Sequence, residues 1–348
     1  MIGDEVSERA LALWRSSLVV DLHNDLPTRV LDDDYDPDVR HPAGFARGLG
    51  HTDVPRLVES GVAAQWLAAF VDAPYAERAE GASFARAMQM IHVVHALSAR
   101  HPASLALATT GGEVRAARDA GRVALLVAVE GGHAIESSLE RLRDLHAAGA
   151  RYMTLTWNNG TAWAGAAQGL GGTRTGGLTP FGCDVVREMN RLGMLVDVSH
   201  VSEATFWDAL DASADPVIAS HSNARALCDH WRNLRDEQLR AVGESGGVVG
   251  LNFFSEFVDP EFGRRERRAP LALLAEHAER IAEIAGADHV ALGSDFDGIR
   301  FTPEGLDDVT CVPSFVQRLL HRGWREEEVR KLLGENAMRV MQRVLDRG

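Results

Sequence analysis

Lysine is almost missing from this 348-residue chain: Lys331 is the only one, against a total of 36 basic residues. It falls in a helical pattern near the C-terminus, so neither a Schiff-base mechanism nor a carbamylated-lysine metal bridge is expected. Cysteine is scarce too. Cys183, Cys228 and Cys311 are odd in number, widely spaced and without a C-x-x-C pair, which argues against a disulfide framework and against a cysteine-based zinc site. A reducing, cytoplasmic setting is therefore expected. No apolar run approaches the ~20 residues of a membrane span, and the acidic first fifteen residues lack the order of a signal peptide. A net charge of −14 leaves no basic surface for nucleic acid or an anionic membrane. The chain also lacks a G-x-S-x-G elbow, and no glycine-rich phosphate turn follows its first apolar run.

What is present is periodic. Eight apolar runs of strand length occur at 18–23, 62–71, 123–130, 152–157, 194–199, 216–222, 248–254 and 289–296. Segments of helical spacing lie between most of them, at 137–148, 180–192, 202–210 and 271–284, and Gly61, Gly121, Gly149, Gly193 and Gly286 mark exits from helix to strand. Near-continuous apolar strands alternating with amphipathic helices predict a parallel sheet covered on its faces. Eight such units predict an α/β fold of the (β/α)8 TIM-barrel type, one catalytic domain over 1–348 with its barrel core at about 18–346. The stretch 160–177, rich in Gly, Ala and Thr, falls between a strand and its helix and is a candidate active-site cover.

In such a barrel the active site forms at the C-terminal ends of the strands. The first run ends in His23 and Asp25, two apart and so on one side of an extended chain, just before Pro27. The third ends in Glu130, followed by Gly131, Gly132 and His133; the fifth leads into His200, the sixth carries His221, and the eighth carries Asp295. Asp297, before Gly298, reads as turn chemistry. Three imidazoles and three carboxylates at one mouth exceed what a single zinc takes. They predict two ions that share a bridging carboxylate and a hydroxide. Ser199, Ser220, Ser294 and His133 flank these residues as hydrogen-bonding supports.

These residues sit in stretches that resemble the membrane dipeptidase (renal dipeptidase) family of the metal-dependent amidohydrolase barrels. The matching stretches include Asp21-Leu22-His23-Asn24-Asp25-Leu26-Pro27, Glu130-Gly131-Gly132-His133, Val196-Asp197-Val198-Ser199-His200, Ser220-His221-Ser222 and Gly293-Ser294-Asp295-Phe296-Asp297-Gly298, in the family's order. The resemblance implies a binuclear site with two zinc ions: one on His23 and Asp25, the other on His200 and His221, with Glu130 bridging and Asp295 beside the first ion as the proton-transferring group. It also implies that Arg232 pairs with the carboxylate of a dipeptide substrate. Where many family members have a substrate-binding His, this chain has Trp157, followed by Asn158 and Asn159; with all three at the substrate, either one of these asparagines donates instead or the substrate preference differs from that of the renal enzyme. The expected activity is zinc-dependent dipeptide hydrolysis by a metal-bridging hydroxide, tolerant of D-residues at the C-terminal side, in a homodimer. The alternatives are lactam, N-acyl amino acid or cyclic amide hydrolysis in the same site, or a non-catalytic metal-binding barrel.

Overall fold

The computed structural model describes residues 6–169, 176–265 and 267–347. Among them nine strands run parallel: β1 (Val20–Asp21), β2 (Ala64–Phe70), β3 (Leu105–Leu107), β4 (Val123–Glu130), β5 (Ala150–Thr154), β6 (Leu195–Asp197), β7 (Val217–Ala219), β8 (Val248–Leu251) and β9 (Val290–Leu292). Eight of them close into a barrel. The order is β1, β2, β4, β5, β6, β7, β8, β9, and β9 returns to β1 through Asp21 and Leu292. The ninth, β3, pairs with the first residues of β4, on the edge that β5 occupies from Val127 onward. The eight expected runs are the eight barrel strands, and the fold is the expected (β/α)8 barrel.

Helices follow the apolar periodicity. The 180–192 segment is a helix at Pro180–Leu192, opened by Thr179, whose hydroxyl accepts from the Gly182 N–H, and closed by Gly193 at φ 67°. The 271–284 segment extends to Leu271–Ala285. Leu22, Trp66, Leu126, Tyr152 and Ile218 fill the barrel interior, and the C-terminal helix Asn336–Leu345 adds Met338 and Met341 to this cluster. Burying each such side chain contributes about 1.5–3 kcal/mol.

Several ladders are shorter than the apolar runs, and at two junctions buried carboxylates take over the backbone N–H groups. Asp197 Oδ1 accepts from the backbone N–H of Ser199 at 3.0 Å and of Ser220 at 2.9 Å, and Asp21 Oδ1 accepts from the N–H of Ser294 at 2.8 Å and of His23 at 3.3 Å. Side-chain oxygens thus replace the ladder where β6 meets β7 and where β1 meets β9. The chain leaves the sheet there, carrying the candidate ligands above the rim. Within 160–177, Ala167 donates to the His200 carbonyl at 2.8 Å and Ala166 bridges Val201, while 170–175 lies outside the described residues. Among the described residues no helix is long and apolar enough to cross a membrane.

Candidate metal centre

Five strand ends deliver His23, Asp25, Glu130, His200, His221 and Asp295 to one buried point at the C-terminal mouth. All six are at most 9% exposed. Glu130 stands in the middle. Its Oε2 lies 3.3 Å from His23 Nε2, and its Oε1 lies 3.0 Å from His200 Nε2 and 3.6 Å from His221 Nε2. Asp25 Oδ2 approaches His23 Nε2 to 3.5 Å, and the His200 and His221 Nε2 atoms are 3.0 Å apart. His23, Asp25 and Asp295 offer ligand atoms close enough for one ion, as do His23, Glu130 and His221.

Each imidazole is fixed from behind by its other nitrogen. His23 Nδ1 lies 2.7 Å from the Tyr152 hydroxyl, which itself donates to the Leu22 carbonyl at 2.9 Å and so accepts from the ring. His221 Nδ1 lies 2.7 Å from Ser220 Oγ, which donates to Asp197 Oδ2 at 2.6 Å. His200 Nδ1 lies 2.9 Å from Asn158 Oδ1. With Nδ1 carrying the proton, all three Nε2 lone pairs face inward. His23 Nε2 and Asp25 Oδ1 are buried without a hydrogen-bond partner, which leaves donor atoms that a cation would satisfy. The residues present therefore fit metal.

Electrostatics agree with that fit at His200 and His221. Burial lowers the pKa of His200 to about 4, with the Arg232 charge adding to it, and burial holds His221 well below its usual value. Burial also works against charge on His23, but the Tyr152 oxygen and the Glu130 carboxylate outweigh it and raise its pKa. Asp25 and Asp295 are both pushed up, first by burial and then by neighbouring carboxylates. Asp295 Oδ2 accepts from Asn252 Nδ2 at 2.8 Å. Space is tight here: a Cβ on Gly298 would fall 2.2 Å from Asp25 Oδ2 and 2.6 Å from Asp295 Oδ1.

A cavity of about 650 Å³ opens above the cluster, lined among others by Phe70, Trp157, Asn158, Arg232 and Phe257. Arg232 is 3% exposed, donates to the His221 carbonyl at 2.9 Å, and lies over the Phe257 ring at 5.6 Å. Among the described residues no carboxylate forms an ion pair with it, although Asp295 and Glu130 lie near enough to act on its charge, and its Nε lacks a partner. Asn159 lines a neighbouring cavity of about 860 Å³ instead of this one, whereas Asn158 lines this one; its carbonyl oxygen meets His200 Nδ1, which does not involve the NH2 group that would donate to a substrate. His133 is also turned to the neighbouring cavity, and neither of its ring nitrogens bonds a ligand residue. Asp297 takes a φ of 66°, and its side chain accepts from the N–H of the distant His51 at 2.8 Å. Tyr152, Asn252 and the two buried aspartates Asp21 and Asp197 were not singled out in advance as site residues. An ionisable side chain inside an apolar run was the one available signal for Asp21 and Asp197.

The family model for membrane dipeptidase, peptidase family M19, matches residues 7–347. A solved dipeptidase described as a metallopeptidase of family M19 is 31% identical, covers 95% of this chain and 99% of its own, and superposes with a TM-score of 0.85. A metallopeptidase from Rhodobacter sphaeroides, solved with a phosphinate mimic of the dipeptide L-Ala-D-Ala, is 30% identical over 94% of this chain and 100% of its own, with a TM-score of 0.84. A probable dipeptidase from Pseudomonas aeruginosa shares the fold at 20% identity and a TM-score of 0.87. The model match spans every strand that brings a carboxylate or imidazole to the mouth, and on that ground the chain belongs to the membrane dipeptidase family, peptidase family M19.

Proposed function

We propose that this metallohydrolase is a zinc dipeptidase with two ions in the mouth of a single catalytic barrel domain spanning about 18–346. The observation that carries the reading is the convergence of three inward Nε2 atoms on the two oxygens of Glu130. His23, Asp25 and Glu130 would hold one ion, and Glu130, His200 and His221 the other, with Asp295 beside the first. Imidazole and carboxylate donors suit zinc. Bound as a pair, zinc supplies an acidified water near neutral pH and polarises the scissile carbonyl.

The chain's own residues do the rest. Asp295, with Oδ2 occupied by Asn252 and its pKa raised by burial, takes the proton of the attacking water and returns it to the leaving amine. Arg232, which pairs with no carboxylate among the described residues, offers its guanidinium to the substrate's terminal carboxylate. That anchor limits substrates to short peptides with a free carboxyl end near the metals. Tolerance of a D-residue at that end is supported by the L-Ala-D-Ala mimic held by the similar Rhodobacter enzyme. A cytoplasmic location belongs to the same proposal, supported by three free cysteines.

The test is zinc-loaded protein assayed on L,L- and L,D-dipeptides beside N-acyl amino acids and lactams. Dipeptide turnover with about two zinc equivalents by elemental analysis is expected, as is its loss in folded His200→Ala and Asp295→Ala. Turnover of lactams or N-acyl amino acids alone would assign a different amide. No turnover at full zinc occupancy would leave a binding barrel.

A further inference from the structure

Trp157 stands at this chain's departure from the family pattern, and its surroundings indicate what it recognises. Phe70 at the end of β2 is in register with Glu130 at the end of β4, and Glu130 is in register with Thr154 at the end of β5. Residues in register on parallel strands project to the same face, so Phe70 faces the mouth as Glu130 does. Trp157 follows β5. Its ring meets Phe70 edge to face at 4.9 Å and lies 6.3 Å from the His200 ring. The two aromatics come from the strands on either side of β4, so their contact crosses the end of β4, beside Glu130. Both are only half-buried, which leaves apolar ring surface facing the cavity.

Arg232 lies on the other side of the mouth, in the connection from β7 to β8, the strands opposite β2 and β4 in the barrel order. A dipeptide whose carboxylate meets Arg232 and whose peptide carbonyl lies over the ligand cluster directs its amino-terminal residue to the Phe70 and Trp157 side. Two acidic side chains that line the cavity are already paired: Asp32 with Arg86 at 2.6 Å, and Asp33 with Arg29. Asp72, two residues beyond Phe70 and exposed at the rim, stays available to an ammonium group.

We propose that Phe70 and Trp157 form the subsite for the first residue's side chain and select a large apolar one, such as Leu or Phe, over Gly or a charged residue. The inference rests on the dipeptidase reading. An indole has no basic nitrogen to replace an imidazole at this position; it offers an apolar face and edge. That surface rewards covering by another apolar group, and such pockets discriminate by about 10- to 200-fold per missing group.

The experiment is a wild-type, zinc-loaded panel of Xaa-Gly and Xaa-D-Ala, with Xaa as Gly, Ala, Leu, Phe, Lys or Glu. A kcat/KM for Leu or Phe at least about tenfold above Gly, Lys and Glu is expected. Trp157→Ala and Phe70→Ala, checked for folding by circular dichroism and for zinc content, should cut the Leu-to-Gly ratio about tenfold, while Phe70→Leu keeps it. A flat panel, a Lys-first or Glu-first preference, or an unchanged ratio in the folded alanine variants overturns the subsite. Failure of every dipeptide overturns the dipeptidase reading itself, so the two failures are told apart.

Discussion

At the scale of single residues, the centre depends on three small clamps: Tyr152 on His23, Ser220 on His221 and Asn158 on His200. Each accepts the Nδ1 proton and so decides which nitrogen points inward. Groups in this position typically change metal affinity by about 10- to 100-fold when removed. We expect Asn158→Ala to weaken zinc binding within that range and Asn158→Asp, which keeps the acceptor, to restore it; competition against a chromophoric chelator measures both. The candidate ligands were legible in the sequence because each stands at or just past the end of an apolar run. The clamps were not. Tyr152 and His23 are 129 residues apart in sequence, and Tyr152 reads as one more aromatic in a buried strand. Asn158 was legible as a residue of the mouth, but the hold of its carbonyl oxygen on His200 was not, since nothing local says which neighbour its amide will meet.

Among elements, the helix Leu271–Ala285 shows how a buried polar group ties the outer ring to the mouth. His277 on this helix is 1% exposed; its Nδ1 accepts from the Ala224 N–H at 3.1 Å, and its Nε2 lies 3.1 Å from the Val258 carbonyl. The first bond needs the neutral ring, the second is a donation that either form can make, and burial lowers the ring's pKa to about 4. In the unfolded chain the same imidazole titrates near 6.5. Between those values the unfolded state binds more protons, so the stability is complete above about pH 6.5, declines as pH falls, and levels off below about pH 4. Denaturant midpoints measured from pH 7.5 to 4.5 should fall, and His277→Asn should flatten part of that fall; burial depresses His51 in the same direction, to about 3, so some slope remains. Helix extents were read closely from periodicity. The strands were overread at their tops, where Asp21 and Asp197 take the N–H groups that a ladder would use.

For the molecule as a whole, the ligand cluster gathers β1, β4, β6, β7 and β9, five of the eight barrel strands. A cation that binds only the folded state stabilises it by about 4 kcal/mol at a thousandfold excess over its Kd. Zinc should therefore raise the melting temperature of chelator-treated protein by several degrees, and His221→Ala should reduce that gain; differential scanning fluorimetry reads both. The barrel was legible because eight apolar runs alternate with amphipathic segments. The three residues of β3 were missed because so short a strand, at Leu105–Leu107, leaves no period to detect. Closure has a further consequence for how the protein comes to exist. Asp21 holds Ser294 across 273 residues, so the seam between first and last strand forms only once nearly all of the chain has been made. During synthesis His23 and Asp25 leave the ribosome on the order of tens of seconds before Asp295, so the full set of converging side chains can assemble only at the end of translation.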